Sequence, residues 1–183
     1  PGKRPDHIAG IVASLLADNA FLGIAAVGMT LVIFSGGIDL SVGAVMGFTS
    51  ILIATMVAKM GISPGWAWLL ALGCGGGLGA FMGMLIQVFR LPAFLITLAG
   101  MFLARGAAFQ VSTDSIGITH PWYDAIANFE IALGSAHLPA TALILLAVVA
   151  IGYGIGHHMR FGRTLLAIGG SDLRVLGGHV LPN

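Results

Sequence analysis

Apolar residues run along this chain in long uninterrupted stretches, and the few charged residues fall between them. Residues 20–34, 40–58, 66–89 and 138–156 contain no Asp, Glu, Lys or Arg, and Arg105 alone interrupts 91–111. A membrane-spanning helix needs about 20 mostly apolar residues, so the pattern predicts five membrane segments. The first is short for a full crossing and stops at Gly36-Gly37. Residues 8–17 alternate less sharply and predict an interfacial helix, or a lead-in to the first span.

Charge asymmetry orients these segments. The connection 112–137 carries Asp114, Asp124 and Glu130 without a Lys or Arg, whereas the tail after residue 159 carries Arg160, Arg163 and Arg174. Positive charge marks the cytoplasmic side, which places the long loop outside and the tail inside. Tracing back through five spans puts Arg90 inside, with Lys59 and the N-terminus outside. Lys3 and Arg4 then lie on the outer side, which predicts a further helix upstream that sets the orientation.

Composition agrees with this class. Only 8% of the 183 residues are charged and 57% are hydrophobic, with a net charge of +1, whereas an ordinary soluble domain is about one quarter charged. The scattered basic residues form no run to neutralise phosphates, so no nucleic-acid partner is expected. Cys74 is the lone cysteine, and the six histidines lack ligand spacing; no disulfide, metal or cofactor is expected. No G-x-x-x-x-G-K-[ST] phosphate loop is present, nor a nucleophile–base arrangement. An enzyme is not predicted, and any ATP used would be hydrolysed by another chain.

Against this apolar background a few residues stand out. Phe34-Ser35-Gly36-Gly37-Ile38-Asp39-Leu40-Ser41-Val42-Gly43 places a carboxylate, hydroxyls and paired glycines between two hydrocarbon runs. Polar groups at such a position shape a path or a helix break. The plain reading is a cap, with Asp39 or Ser41 accepting from the first free amides of the following helix; the functional reading is a polar cavity facing substrate. Thr97 and Gln87 suit interhelical hydrogen bonds, with direct ligand contact as the other reading. Arg105 either snorkels to the outer headgroups, or it makes a buried pair or lines an outer vestibule. Ala71, Gly75, Gly79 and Gly83 recur every fourth residue, a small-residue ridge that predicts close crossing by a neighbouring helix. His120-Pro121-Trp122-Tyr123 reads as a turn with interfacial aromatics.

These motifs resemble a known family. Gly36-Gly37-Ile38-Asp39-Leu40-Ser41-Val42-Gly43 is similar to the signature of the permease subunits of bacterial ribose/xylose/galactose-type ABC importers. Asp18-Asn19-Ala20-Phe21-Leu22-Gly23-Ile24 leads into Gly28-Met29-Thr30 as in that family. Leu91-Pro92-Ala93-Phe94-Leu95-Ile96-Thr97-Leu98 followed by Arg105-Gly106 resembles its P-x-F-[IV]-x-T-L segment. The stretches 96–101 and 120–124 are most similar to the galactofuranose permease branch. Arg160-Phe161-Gly162 and Ala167-Ile168-Gly169-Gly170 resemble the start of a cytoplasmic segment that docks on the ATPase.

The resemblance implies an all-α, polytopic membrane protein forming part of a permease domain, and a multi-pass place in the bacterial inner membrane. It implies Gly36, Gly37, Asp39, Ser41, Gly43, Thr97 and Arg105 near a translocation path for a galactofuranose- or ribose-like monosaccharide. Gly75, Gly79 and Gly83 serve helix packing, and Arg160, Gly162, Gly169 and Gly170 serve ATPase docking. The implied partners are ABC ATPase subunits, an extracytoplasmic sugar-binding protein, a second permease subunit and membrane lipid. Family members are nearly twice this length, so a fragment is expected: 1–18 lead-in, 19–159 membrane helices, 160–183 the opening of the docking segment. After Ser171 the family spacing is lost. An ion-coupled secondary transporter or an inactive membrane fragment are the alternatives.

Overall fold

A computed structural model describes residues 4–133, 136–160, 162, 164, 165 and 167. Seven helices and one hairpin follow in chain order among them: α1 Arg4–Asp18, α2 Ala20–Phe34, α3 Val42–Ala58, α4 Pro64–Phe89, α5 Ala93–Val111, α6 Pro121–Ala127, β1 Glu130–Leu133, β2 Ala136–Pro139 and α7 Ala140–His158. The helix boundaries follow local chemistry. Pro64 at the first position of α4 lacks an amide hydrogen that would have no partner there, and Ser63 before it is extended. Arg90 ends α4 in the left-handed region at φ 51°, and Pro92 prevents the helix from continuing into α5.

The chain forms two compact units, Pro1–Gly36 with Ala125–Asn183, and Gly37–Asp124. In the first, α2 packs on α7: a side chain at Gly23 would meet Leu145, and one at Gly152 would meet Val27. A groove of about 220 Å³ between them continues from Val27 and Val149 to Phe34 and His157. Ascending numbers on α2 face ascending numbers on α7, so the two helices run parallel. The lead-in helix α1 lies against β2 and α7 at the opposite end. In the second unit α3 packs on α4 and α5. Met56, Val57 and Ala67 form a small core there, with Ile118 and Tyr123 against it.

Three helices, α4, α5 and α7, are long and apolar enough to cross a membrane. Of the five expected membrane segments, the first of which already read as short, two fall outside this set. Helix α2 has 15 residues and is bent by 62° from the end of α1, so the two make one broken span at most. Helix α3 has 17 residues, about 25 Å of helix against about 30 Å of hydrocarbon. The glycine break shortens the helix on each side of it.

The expected outer loop 112–137 carries structure of its own. It contains α6 and most of the antiparallel hairpin, registered Glu130 to Pro139 and Leu133 to Ala136. Exposed His137 and Glu130 face each other at 3.6 Å across it, a surface pair of little energetic weight. The hairpin's short extended runs pair their own backbone groups, which a structureless loop would leave to water.

The orientation expected from the charge asymmetry, with α3 crossing, can be tested directly. In a Cys74→Ser background, Asp18→Cys and Ser115→Cys should both react with an impermeant thiol reagent in intact cells, and Leu91→Cys only after the membrane is opened. Labelling of residue 18 and residue 115 from opposite sides would show that α3 does not cross.

Candidate functional site

The break begins at the end of α2. Ser35 turns its hydroxyl back to the Val32 carbonyl at 2.7 Å, and the Gly36 amide donates to the Ile33 carbonyl at 3.0 Å. These bonds satisfy carbonyls that a helix end leaves open. Gly36 has φ 76°, a left-handed conformation that a residue without a Cβ adopts at no steric cost.

Beyond Gly37 the second unit builds its own network. One oxygen of Asp39, Oδ1, accepts from the Ser41 amide at 2.8 Å and from the Ser41 hydroxyl at 2.6 Å. Ser41 is 1% exposed, so this carboxylate oxygen serves both of its hydrogen-bond donors where water does not reach. The Ser41 carbonyl accepts the Val45 amide at 2.9 Å and opens α3. From the facing helix α5, Thr97, buried at 5% exposure, donates to the Ile38 carbonyl at 3.3 Å. Its own-helix carbonyl, Phe94, stands at 3.2 Å. Two stretches 59 residues apart in sequence thus meet at one carbonyl.

The expectation that Asp39 or Ser41 caps the first amides of α3 is corrected. Ser41 is the N-cap residue but has φ −84° and ψ −19°, and no side-chain bond reaches the helix from it. A capping side chain needs an extended backbone to reach forward, so the Ser41 hydroxyl turns back to Asp39. The carboxylate fixes the turn before the helix. A pattern of residue types shows that a cap or turn is present, but the choice between them depends on one ψ angle.

The other anticipated residues are dispersed. Gly43 packs against no neighbour within 4 Å of an added Cβ. Arg105 is exposed on α5, and among the described residues no acidic side chain pairs with it. Gln87 is exposed as well, so the interhelical bond expected of it is not made among the described residues. Arg160 is exposed, and Gly162 packs back onto the end of α7. Gly169 and Gly170 lie outside the described residues. No cluster of three or more His, Cys, Asp or Glu side chains able to hold a metal ion occurs among those described.

The small-residue ridge is covered over only half its length. Ala71 is buried, and a Cβ at Gly75 would lie 3.4 Å from Thr49 and 3.6 Å from Val45 of α3. An added Cβ at Gly79 or Gly83 would meet nothing within 4 Å. Helix α3 is too short to follow α4 to its end. A cavity of about 350 Å³ lies where Val45, Thr49 and Ile53 face Trp68, Ala71 and Gly75. Its walls are apolar, and the Thr49 hydroxyl already donates to its own helix. Gly75→Leu should therefore lower thermal stability in detergent by about 1–3 kcal/mol through overpacking. Gly79→Leu should leave the α3–α4 packing intact; an equal loss from both would contradict this packing.

Sequence reading marked Trp122 and Tyr123 as interfacial aromatics but missed their pairing with Trp68 of α4. The Trp68 indole donates to the Tyr123 hydroxyl at 2.7 Å, and Trp122 meets both rings edge-on at 6.0 and 5.3 Å. The half-exposed tryptophans suit an interface between hydrocarbon and water. The pairing joins residues 55 apart, and no local periodicity signals it.

Residues 11–175 match the family described as branched-chain amino acid transport system / permease component. The chain is 50% identical over 162 residues to the inner membrane ABC transporter permease protein YjfF of Escherichia coli K12, covering 88% of this chain and 49% of that protein. It is 39% identical to the fructose import permease protein FruG of Bifidobacterium longum, over 88% of this chain and 49% of that one. It is 35% identical to the ribose import permease protein RbsC of Bacillus subtilis, over 90% of this chain and 51% of that one. The chain thus spans about half the length of the curated relatives it matches. No solved structure matches it. A family match over most of the residues, joined to apolar helices and a built helix break, has one meaning: this chain belongs to the membrane permease components of ABC-type transport systems, as a helical, multi-pass part of a bacterial cytoplasmic membrane protein.

Proposed function

We propose that the chain forms part of the transmembrane pathway of an ATP-driven importer for a monosaccharide. The observation that carries this reading is the run of similarity to import permeases named for fructose and ribose, 39% and 35% identical over nearly the whole chain. It favours sugars over the amino acids in the family's description. The resemblance of 96–101 and 120–124 to the galactofuranose branch narrows the candidates to a galactofuranose- or ribose-like sugar. In this reading ATP is hydrolysed by separate ATPase subunits, a soluble sugar-binding protein delivers the substrate from outside, and a second permease subunit completes the path.

The helix break supports a path. In hydrocarbon every backbone group needs a partner, and an irregular backbone persists only where protein or a polar cavity surrounds it. Asp39 supplies such a partner to the Ser41 amide, and Thr97 supplies one to the Ile38 carbonyl. Relative movement of helices around such a break is how transporters alternate access between the two sides.

The test is uptake of labelled furanose and pyranose sugars by vesicles holding the full-length protein, its ATPase and its binding protein. Uptake should require ATP inside and the binding protein outside. Uptake of a branched-chain amino acid in place of sugars would overturn the substrate class. Uptake driven by a proton or sodium gradient without ATP would overturn the importer reading altogether.

A further inference from the structure

The Thr97 hydroxyl carries a single proton, and two carbonyls stand ready for it at nearly the same distance. Phe94 of its own helix lies at 3.2 Å and Ile38 of the break at 3.3 Å. A threonine hydroxyl in a helix commonly satisfies itself on a carbonyl three or four residues back, so the Phe94 bond alone would be the ordinary arrangement. The Ile38 bond is additional, and it reaches backbone that no helix or strand ladder holds.

We propose that Thr97 is a positioning residue that latches the helix break to α5 and releases it by rotating its O–H from the Ile38 carbonyl to the Phe94 carbonyl, the proton staying on the hydroxyl oxygen. Release leaves no unpaired hydroxyl, because the second acceptor is already in place. The cost falls on the Ile38 carbonyl alone, which a water molecule or a substrate hydroxyl could then serve. Neighbouring residues limit the motion to one joint. Asp39 holds both donors of Ser41, and Ser41 is fully buried, so the start of α3 stays fixed while residue 38 is free to move. Ile38 itself is 59% exposed and offers little packing resistance.

The latch predicts different behaviour for two conservative variants. Thr97→Ser keeps the hydroxyl and Thr97→Val keeps the shape without it. In the full-length protein in lipid nanodiscs, amide hydrogen exchange over residues 36–42 should rise roughly fivefold in Thr97→Val, the effect of losing one net hydrogen bond. Thr97→Ser should stay at the wild-type rate. Equal exchange in all three proteins would overturn the latch, and so would an equal rise in both variants, which would report a general loosening of the packing around residue 97 and not loss of the hydroxyl. The consequence for transport rests on the importer reading: Thr97→Val should lower the sugar uptake rate with unchanged binding-protein affinity. Raised exchange with unchanged uptake would overturn the latch's part in transport. Absence of sugar uptake in the wild type would instead count against the importer reading, and the exchange result would still stand.

Discussion

Replacing Asp39 with leucine should strip the protein of stability, whereas replacing it with asparagine should do little. The reason lies in Ser41 more than in Asp39 itself. Ser41 is 1% exposed, and both its amide and its hydroxyl donate to one carboxylate oxygen, at 2.8 and 2.6 Å. Leucine removes that acceptor and leaves two donors without partners away from water, each costing about 1–3 kcal/mol. A combined loss of about 2–6 kcal/mol is a large fraction of the usual stability of a folded protein. Asparagine retains one amide oxygen of the same reach, so both bonds survive without the charge that strengthens them, and about 1 kcal/mol is lost. The measurement is thermal unfolding of the full-length protein in detergent, alongside its steady-state level in the membrane. Similar melting temperatures for Asp39→Leu and the wild type would mean that Ser41 finds other partners and that the turn does not depend on its carboxylate. Asp39→Leu, Ser41→Ala should recover part of the loss, because the hydroxyl then no longer needs an acceptor.

The same residues show which parts of this fold a sequence displays. Helix-length apolar runs are a property of local composition, so α4, α5 and α7 were legible almost to their ends. The break at Gly36 was legible because paired glycines before a polar cluster have few other uses between apolar runs. The direction of the Asp39 bonds was not, since a side chain reaching forward to a helix and one holding the turn before it share the same residue types. The Thr97–Ile38 contact joins residues 59 apart; an interhelical bond was expected for Thr97, but its acceptor depended on how α5 lies against the break. The ridge on α4 illustrates the opposite failure. Four small residues in register signal a possible close contact, but α3 covers only Ala71 and Gly75 because it has 17 residues against the 26 of α4. Register is visible in one helix, whereas coverage depends on the length of its neighbour. The hairpin in 112–137 escaped notice for a related reason. Its strands are four residues each, too short for alternation to rise above chance.

Gly162 should tolerate no side chain, and this expectation links the fold to the proposed coupling with an ATPase. After α7 ends, Met159 is extended, with φ −87° and ψ 147°, and the chain turns so that Gly162 lies against the last turn of that helix. A Cβ at Gly162 would collide with the Ile155 carbonyl oxygen and approach the Gly156 Cα to 2.5 Å and its oxygen to 2.6 Å. All three are backbone atoms, so no rotamer change can make room; the turn itself must shift. Overpacking of this kind costs about 1–3 kcal/mol even where side chains can yield, and Gly162→Leu should lie at or above the upper end. Gly154, near the same end of α7, has nothing within 4 Å of an added Cβ, so Gly154→Ala serves as the control and should match the wild type. If the segment opening at Arg160 transmits motion from an ATPase, Gly162→Ala should lower sugar uptake more than it lowers the protein's melting temperature would suggest, with ATP hydrolysis persisting uncoupled from uptake. Gly162→Ala that matches Gly154→Ala in stability, uptake and ATP consumption would show that the turn is loose and that its glycine carries no coupling.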